Sequence, residues 1–294
     1  MKKIIHLRIN YDYYHLLFGK SEGRDLGTSI KVVELSEDDP RLEQIPIIDR
    51  ELQEKHNTKF FFGWDIKRRY TSRELSEAKL FQLIIKRFFE PAGEECGTQY
   101  KDFICDICGV DRIQKGFLHL KRSSIPKTDI SQTIAGEIVV SEKFVLALKK
   151  WNVKGFVGGS IIFKKDLTTD YYQFNTAKTI DLSNKTIAGA NLFDLSHSSE
   201  SSGITLSNGM HVGGGKEIYK CPRCNRIGLN LLSEVYVKND PVLEQYDLFS
   251  SKQRIGVFRG MLQPRPVYVC SPLFKEMVEK EKLTGFGFEV AYIE

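Results

Sequence analysis

The sequence predicts an α+β fold in which one unit, a cysteine-bearing turn followed by strand, helix and strand, occurs twice after a mixed N-terminal α+β region. Two observations carry this prediction. The pattern Cys-x-x-Cys occurs twice, at residues 105–108 and 221–224. Residues 139–156 also resemble residues 269–286 at a constant offset of 130, the matches being Val139-Val140-Ser141 with Val269-Cys270-Ser271, Phe144 with Phe274, and Gly155-Phe156 with Gly285-Phe286. We interpret this as an internal duplication.

The N-terminal region is predicted to span residues 1–95, which contain no cysteine. Alternating apolar residues predict strands at Ile4–Tyr14 and Ile30–Val33, and the apolar run Phe60–Asp65 predicts a buried strand. Thr71 and Ser72 ahead of Glu74 indicate the start of a short helix capped by one of them. The Ile and Phe content of residues 80–89 favours strand over helix.

The duplicated domain is predicted to span residues 96–294. A strand is expected at Phe117–Leu120, and each copy then contains a helix capped by serine, Ser141 in the first and Ser271 in the second. Pro272 suits the first helical position. Closing strands are expected at residues 161–163 and 288–293, and the Thr-, Ser-, Asn- and Gly-rich residues 165–220 are predicted to be a loop-rich insertion.

Composition limits the class of protein. The chain has 294 residues, of which 41% are hydrophobic and 28% charged, with a formal net charge of +5. The basic residues are dispersed, which argues against a dedicated nucleic-acid surface. No apolar stretch approaches the length of a membrane span, and the start lacks the continuous apolar core of a secretory signal. We therefore expect a cytoplasmic protein with reduced cysteines, for which metal binding is the usual use of paired thiols.

The two cysteine pairs predict one structural Zn²⁺. Four thiolates complete a tetrahedral site, and each Cys-x-x-Cys turn directs two sulfurs to one ion. Gly109 and Asn225 follow the pairs and are residue types that accept the left-handed backbone this turn needs. The predicted ligands of this duplicated zinc knuckle are Cys105, Cys108, Cys221 and Cys224. The alternative is two unrelated pairs of buried or redox-active thiols. Cys96 and Cys270 are predicted not to be ligands, since Cys270 occupies the place of Val140 and suits a small buried hydrophobe.

No catalytic or cofactor-binding residues are predicted. The six histidines form no metal-catalytic spacing, and Gly213-Gly214-Gly215-Lys216 fails the phosphate-loop pattern because Glu217 follows the lysine. A site that includes His197 and His211, in the 194–211 loop, is the enzymatic alternative. A closed four-cysteine site leaves no open coordination position, so we predict that the protein is not an enzyme.

From about residue 75 to residue 294, the chain resembles the bacterial double-CXXCG-motif proteins. The resemblance is carried by the two cysteine motifs, the two Ser-x-x-Phe helices, Gly93-Glu94-Glu95-Cys96-Gly97-Thr98 and Gly228-Leu229-Asn230-Leu231-Leu232-Ser233-Glu234. Asn225 departs from the glycine expected in the second motif. Some members of that family are linked to immunity against polymorphic toxins, while many have no assigned role. The resemblance implies a cytoplasmic bacterial protein that binds and blocks a toxin.

The leading hypothesis is therefore a non-enzymatic, zinc-stabilised protein that binds a protein partner, as a toxin-neutralising immunity protein does. A rigid core would present the insertion and the N-terminal region to that partner. The alternative from another class is a zinc-ribbon-like protein that binds nucleic acid through its arginines.

Overall fold

The computed structural model describes residues 1–105, 109–164, 166–189, 204–205, 211–212, 230–258 and 261–294. The chain folds as two compact units, unit 1 (Met1–Ser76) and unit 2 (Glu77–Glu294). The division falls before residues 80–85, which the sequence analysis assigned to the N-terminal region, because that segment pairs with strands of unit 2. Strands and helices occur together in both units, so the predicted α+β class is confirmed.

Unit 1 is a four-stranded antiparallel sheet in the order β2-β3-β1-β4, with two helices. Its elements are β1 (Lys2–Asn10), β2 (Arg24–Leu26), β3 (Ile30–Ser36), α1 (Arg41–His56), β4 (Phe61–Arg69) and α2 (Ser72–Glu77). Successive side chains of a strand point to opposite faces. Leu7 and Ile9 of β1 therefore share one buried face with Val33 and Leu35 of β3.

Two features of unit 1 differ from the sequence analysis. Helix α1 was not predicted, because Pro46 lies inside it and proline removes a helical hydrogen-bond donor. Only Ile45 and Leu52, two turns apart, are buried on this helix. Strand β4 lies where the sequence placed a strand, but it is an edge strand, and Phe62 is 52% exposed.

The short helix α2 begins as the sequence predicts. Thr71 Oγ1 accepts a hydrogen bond from the Glu74 backbone N–H at 3.2 Å, and the Glu74 carboxylate accepts one from the Thr71 backbone N–H at 2.7 Å. These reciprocal contacts are a capping box, which satisfies backbone donors at the start of a helix. Thr71 is therefore the capping residue of the two candidates.

Arg41 joins two carboxylates at the start of α1, and we expect this contact to make stability depend on pH. Its guanidinium donates hydrogen bonds to Glu22 at 2.6 Å and to Asp39 at 3.0 and 2.8 Å. Hydrogen bonds from Arg41 lower the pKa of Asp39 and the pKa of Glu22 below their ordinary values of 3.8 and 4.5. A carboxylate whose pKa is lower in the folded state than in the unfolded state stabilises the fold at pH values above its unfolded-state pKa. This stabilisation is lost as the pH falls through the folded-state pKa.

In urea titrations between pH 7 and pH 3, we therefore expect Arg41→Met to be less stable than wild type at pH 7 and to lose less stability on acidification. Arg50→Met, which changes an exposed arginine of the same helix, is the matched control and should follow wild type. Parallel acid profiles for wild type and Arg41→Met would contradict the assignment.

The described residues of unit 2 include two six-stranded sheets. Its helices are α3 (Glu142–Lys150) and α4 (Pro272–Lys280). Its strands are β5 (Leu80–Ile85), β6 (Phe88–Phe89), β7 (Gln99–Cys105), β8 (Gly109–Lys115), β9 (Leu118–Leu120), β10 (Ile130–Thr133), β11 (Ile138–Ser141), β12 (Phe156–Phe163), β13 (Asp166–Thr176), β14 (Thr179–Ile180), β15 (Ala188–Gly189), β16 (Ile204–Thr205), β17 (His211–Val212), β18 (Asn230–Leu231), β19 (Val235–Val237), β20 (Leu248–Phe258), β21 (Met261–Cys270) and β22 (Phe286–Ile293).

The two large sheets have matching strand patterns. Sheet I has the order β6-β10-β11-β13-β12-β9, and sheet II has the order β14-β20-β21-β5-β22-β19. In each sheet the two outermost pairings are parallel and the three inner pairings are antiparallel. Strand β13 lies inside sheet I, so the beginning of the predicted loop-rich insertion is strand in the structure.

Both predicted serine caps are confirmed. Ser141 Oγ accepts a hydrogen bond from Phe144 N, and Ser271 Oγ accepts one from Phe274 N, each at 3.2 Å. The two helices bury matching positions, and the rings of Phe144 and Phe274 contact each other with centroids 6.1 Å apart. The helices therefore meet at equivalent faces in one shared core.

Candidate metal centre

The first cysteine motif begins at Cys105, the last residue of β7, and Gly109, the first residue of β8, follows it. The two strands pair antiparallel from Gln99 opposite Lys115 to Cys105 opposite Gly109. Residues 106–108, which separate Cys105 from Gly109, are not among the residues that the structure describes. Cys105 is described by its backbone, and Cys108 lies outside the described residues.

The base of this hairpin is fixed to the body of unit 2. Thr98 Oγ1 accepts a hydrogen bond from His119 N at 2.8 Å and donates one to His119 O at 3.2 Å. The side-chain amides of Gln114 and Gln173 exchange two hydrogen bonds, at 3.0 and 2.8 Å. These side-chain contacts between distant parts of the chain were not foreseen from the sequence, although Thr98 belongs to the quoted Gly-Glu-Glu-Cys-Gly-Thr motif.

Matching contacts are present just ahead of the segment that contains the second motif. Thr186 Oγ1 accepts a hydrogen bond from Tyr236 N and donates one to Tyr236 O, both at 2.9 Å. Strands β15 and β18 then pair antiparallel, with Ala188 opposite Leu231. Cys221 and Cys224 belong to the segment between these strands and lie outside the described residues.

The strands that follow the two motifs contact two strands that are paired with each other. Strand β8, which follows Cys108, contacts β21, and strand β18, which follows Cys224, contacts β20. Strands β20 and β21 are paired with each other. The strands that follow the two motifs thus contact neighbouring strands of sheet II, and the shared site stays a prediction. Within the described ranges, no three His, Cys, Asp or Glu side chains come close enough to hold a metal.

The two remaining cysteines have the environments of structural thiols. Cys270 is fully buried in β21, and burial raises the pKa of its thiol well above the ordinary value. Burial also raises the pKa of the partly buried Cys96 thiol. A raised pKa disfavours the thiolate, which is the nucleophilic and metal-binding form. That neither residue is a ligand stays a prediction.

The enzymatic alternative depends on a loop that is described only in part. His211 is described by its backbone in β17, where it lies opposite Thr205, and His197 lies outside the described residues. Whether these histidines meet a carboxylate therefore stays a prediction.

Comparison with protein-family models and with curated proteins gave no match. The resemblance to the double-CXXCG-motif proteins accordingly stays an interpretation of the motifs. In the part of the chain that the structure describes, no helix is both long enough and apolar enough to cross a bilayer.

Proposed function

We propose that this chain is a non-enzymatic, cytoplasmic protein that binds and neutralises a protein partner, as an immunity protein does. In this proposal, unit 2 is an internal duplication held by one structural Zn²⁺ between Cys105, Cys108, Cys221 and Cys224. The ion stabilises the fold and leaves no coordination position for a substrate. The partner contacts surfaces that the stabilised unit presents.

The duplication is supported by matching contacts in two parts of unit 2. The serine caps of α3 and α4 are equivalent, and Thr98 with His119 repeats the contacts of Thr186 with Tyr236. The metal is supported by the register of β7 and β8, in which Cys105 at the start of the first motif pairs with Gly109 just after it. The contacts of β8 with β21 and of β18 with β20 support a single shared site.

The proposal of a protein partner rests on exposed apolar side chains at one end of sheet I. Leu167 of β13 is 59% exposed and lies directly opposite Ile162 of β12. Phe117, which immediately precedes the neighbouring strand β9, is 51% exposed. Exposed large apolar side chains such as these can anchor a protein interface.

Coexpression with the protein encoded by the adjacent gene tests this proposal. We expect the two proteins to copurify and the chain to protect cells from a toxic partner.

Leu167→Asp should weaken copurification, because it places a charge in the apolar contact. Leu146→Asp, at a position on α3 that is 56% exposed, is the matched control. Absence of both copurification and protection would contradict the proposal, and a salt-dependent shift of labelled DNA or RNA would favour nucleic-acid binding.

A further inference from the structure

We propose that unit 2 is a pair of equivalent halves that exchange strands within one chain. The first half comprises residues 80–163 and the second half residues 166–293. Each half places its first strand in the middle of the sheet that the other half builds. Neither sheet is then complete unless both halves fold. This inference extends the proposed duplication and is independent of the metal and of the partner.

The strand pairings carry the exchange. Strand β5 belongs to the first half but lies between β21 and β22 of the second half, antiparallel to both. Strand β13 belongs to the second half but lies between β11 and β12 of the first half, again antiparallel to both. The two insertions are reciprocal, so every large sheet of unit 2 contains a strand from each half.

The links by which the chain passes from one sheet to the other are equivalent in detail. Residues 86–87 connect β5 in sheet II to β6 in sheet I, and residues 177–178 connect β13 in sheet I to β14 in sheet II. Each link makes two equivalent backbone hydrogen bonds. In the first link, Lys86 N donates to Gly285 O at 2.9 Å, and Arg87 O accepts from Gln132 N at 2.9 Å. In the second link, Ala177 N donates to Gly155 O at 2.8 Å, and Lys178 O accepts from Ser250 N at 3.2 Å.

Two buried or partly buried aspartates repeat one contact between the halves. Asp129 of the first half accepts a hydrogen bond from the backbone N–H of Thr284 in the second half at 2.8 Å. Asp247 of the second half accepts one from the backbone N–H of Lys154 in the first half, also at 2.8 Å. The other carboxylate oxygen of each aspartate accepts from the serine cap of its own half, at 2.9 Å in the first and 2.7 Å in the second.

These reciprocal contacts have an energetic consequence. Removal of β5 from sheet II would expose the edges of β21 and β22, and removal of β13 would do the same to β11 and β12. Unpaired buried backbone groups and exposed apolar strands are costly. We therefore expect the halves to unfold together and to remain associated when the one covalent connection between them is cut.

Cleavage of the folded full-length protein tests the exchange. A protease recognition sequence is inserted after Lys164, an exposed residue with φ of 58° in the connection from β12 to β13. The cleaved protein is examined by size-exclusion chromatography with a metal chelator present, so that association does not depend on the proposed ion. We expect both fragments to coelute at the volume of the uncleaved protein. Separation into two fragments would overturn the inference.

A second measurement needs no inserted sequence. Phe81→Leu changes a buried residue of β5, which belongs to the first half and lies in sheet II. Because the halves unfold together, the slowest-exchanging amides of β11 and β21 should lose hydrogen-exchange protection by the same factor. Loss confined to one sheet would show independent halves and would overturn the inference, whatever the outcome of the partner experiments.

Discussion

Gly285→Ala should reduce the free energy of unfolding by about 4 kcal/mol. Losses of this size come from defects in the backbone or the core. Gly285 has a φ of 95°, which residues with a Cβ rarely adopt. A Cβ at this position would lie 2.2 Å from the backbone oxygen of Ile130. Since that oxygen belongs to a paired strand, relief of the overlap would require a backbone shift. Urea unfolding followed by far-UV circular dichroism measures the change.

Gly97→Ala is the matched control for this prediction. Gly97 has a similar φ of 101°, but a Cβ there would meet nothing within 4 Å. We expect this substitution to cost about 1 kcal/mol, the backbone strain alone. Gly155→Ala should resemble Gly285→Ala, since its Cβ would lie 2.5 Å from the backbone oxygen of Leu248. Equal losses for Gly97→Ala and Gly285→Ala would contradict the close approach as the cause.

Local signals in the sequence located many of the elements. Ser141 and Ser271 cap their helices because a serine hydroxyl satisfies a backbone donor within the first turn, and this depends on a few neighbouring residues. Helix α1 escaped prediction because Pro46 and only two buried side chains give a weak helical pattern. Local sequence therefore identifies an element when its cap or its periodicity is strong.

Long-range pairing was the part that the sequence did not reveal. Residues 166–176 contain Thr, Asp, Gln and Asn among their apolar side chains, which resembles a polar loop. They form a strand because β11 and β12 on either side satisfy their backbone groups. Residues 80–85 were predicted as strand, but the partners of β5 were not, since β21 begins only at Met261 and β5 ends at Ile85. Strand partners at such separations leave no mark in a short window of sequence.

In the candidate site, too, local features were predictable from the sequence and long-range contacts were not. The Cys-x-x-Cys spacing and Gly109 predicted a tight turn, and in the structure Cys105, the first residue of the motif, pairs with Gly109, which follows it. The side-chain contacts that fix the hairpin, such as Gln114 with Gln173, join residues 59 positions apart. Such contacts depend on the finished sheets and were not accessible from motif spacing.

Loss of a single predicted ligand should release the whole metal content. If one ion is shared by both motifs, Cys105→Ser and Cys221→Ser should each reduce zinc from about one ion per chain to nearly none. Either change should also lower the free energy of unfolding by about 4–5 kcal/mol, since loss of a structural metal is among the most destabilising changes. Elemental analysis of the purified proteins measures the metal, and urea unfolding measures the stability.

Cys96→Ser is the matched control, because its partly buried thiol has a raised pKa and is not a predicted ligand. It should retain the ion and nearly all of the stability. Replacement of zinc by Co²⁺ adds a spectroscopic criterion, since tetrahedral thiolate ligation gives charge-transfer absorption that both ligand variants should lose. If Cys221→Ser kept the ion while Cys105→Ser lost it, the first motif would bind metal without the second. A shared site would then be wrong, although the strand exchange between the halves could still hold them together.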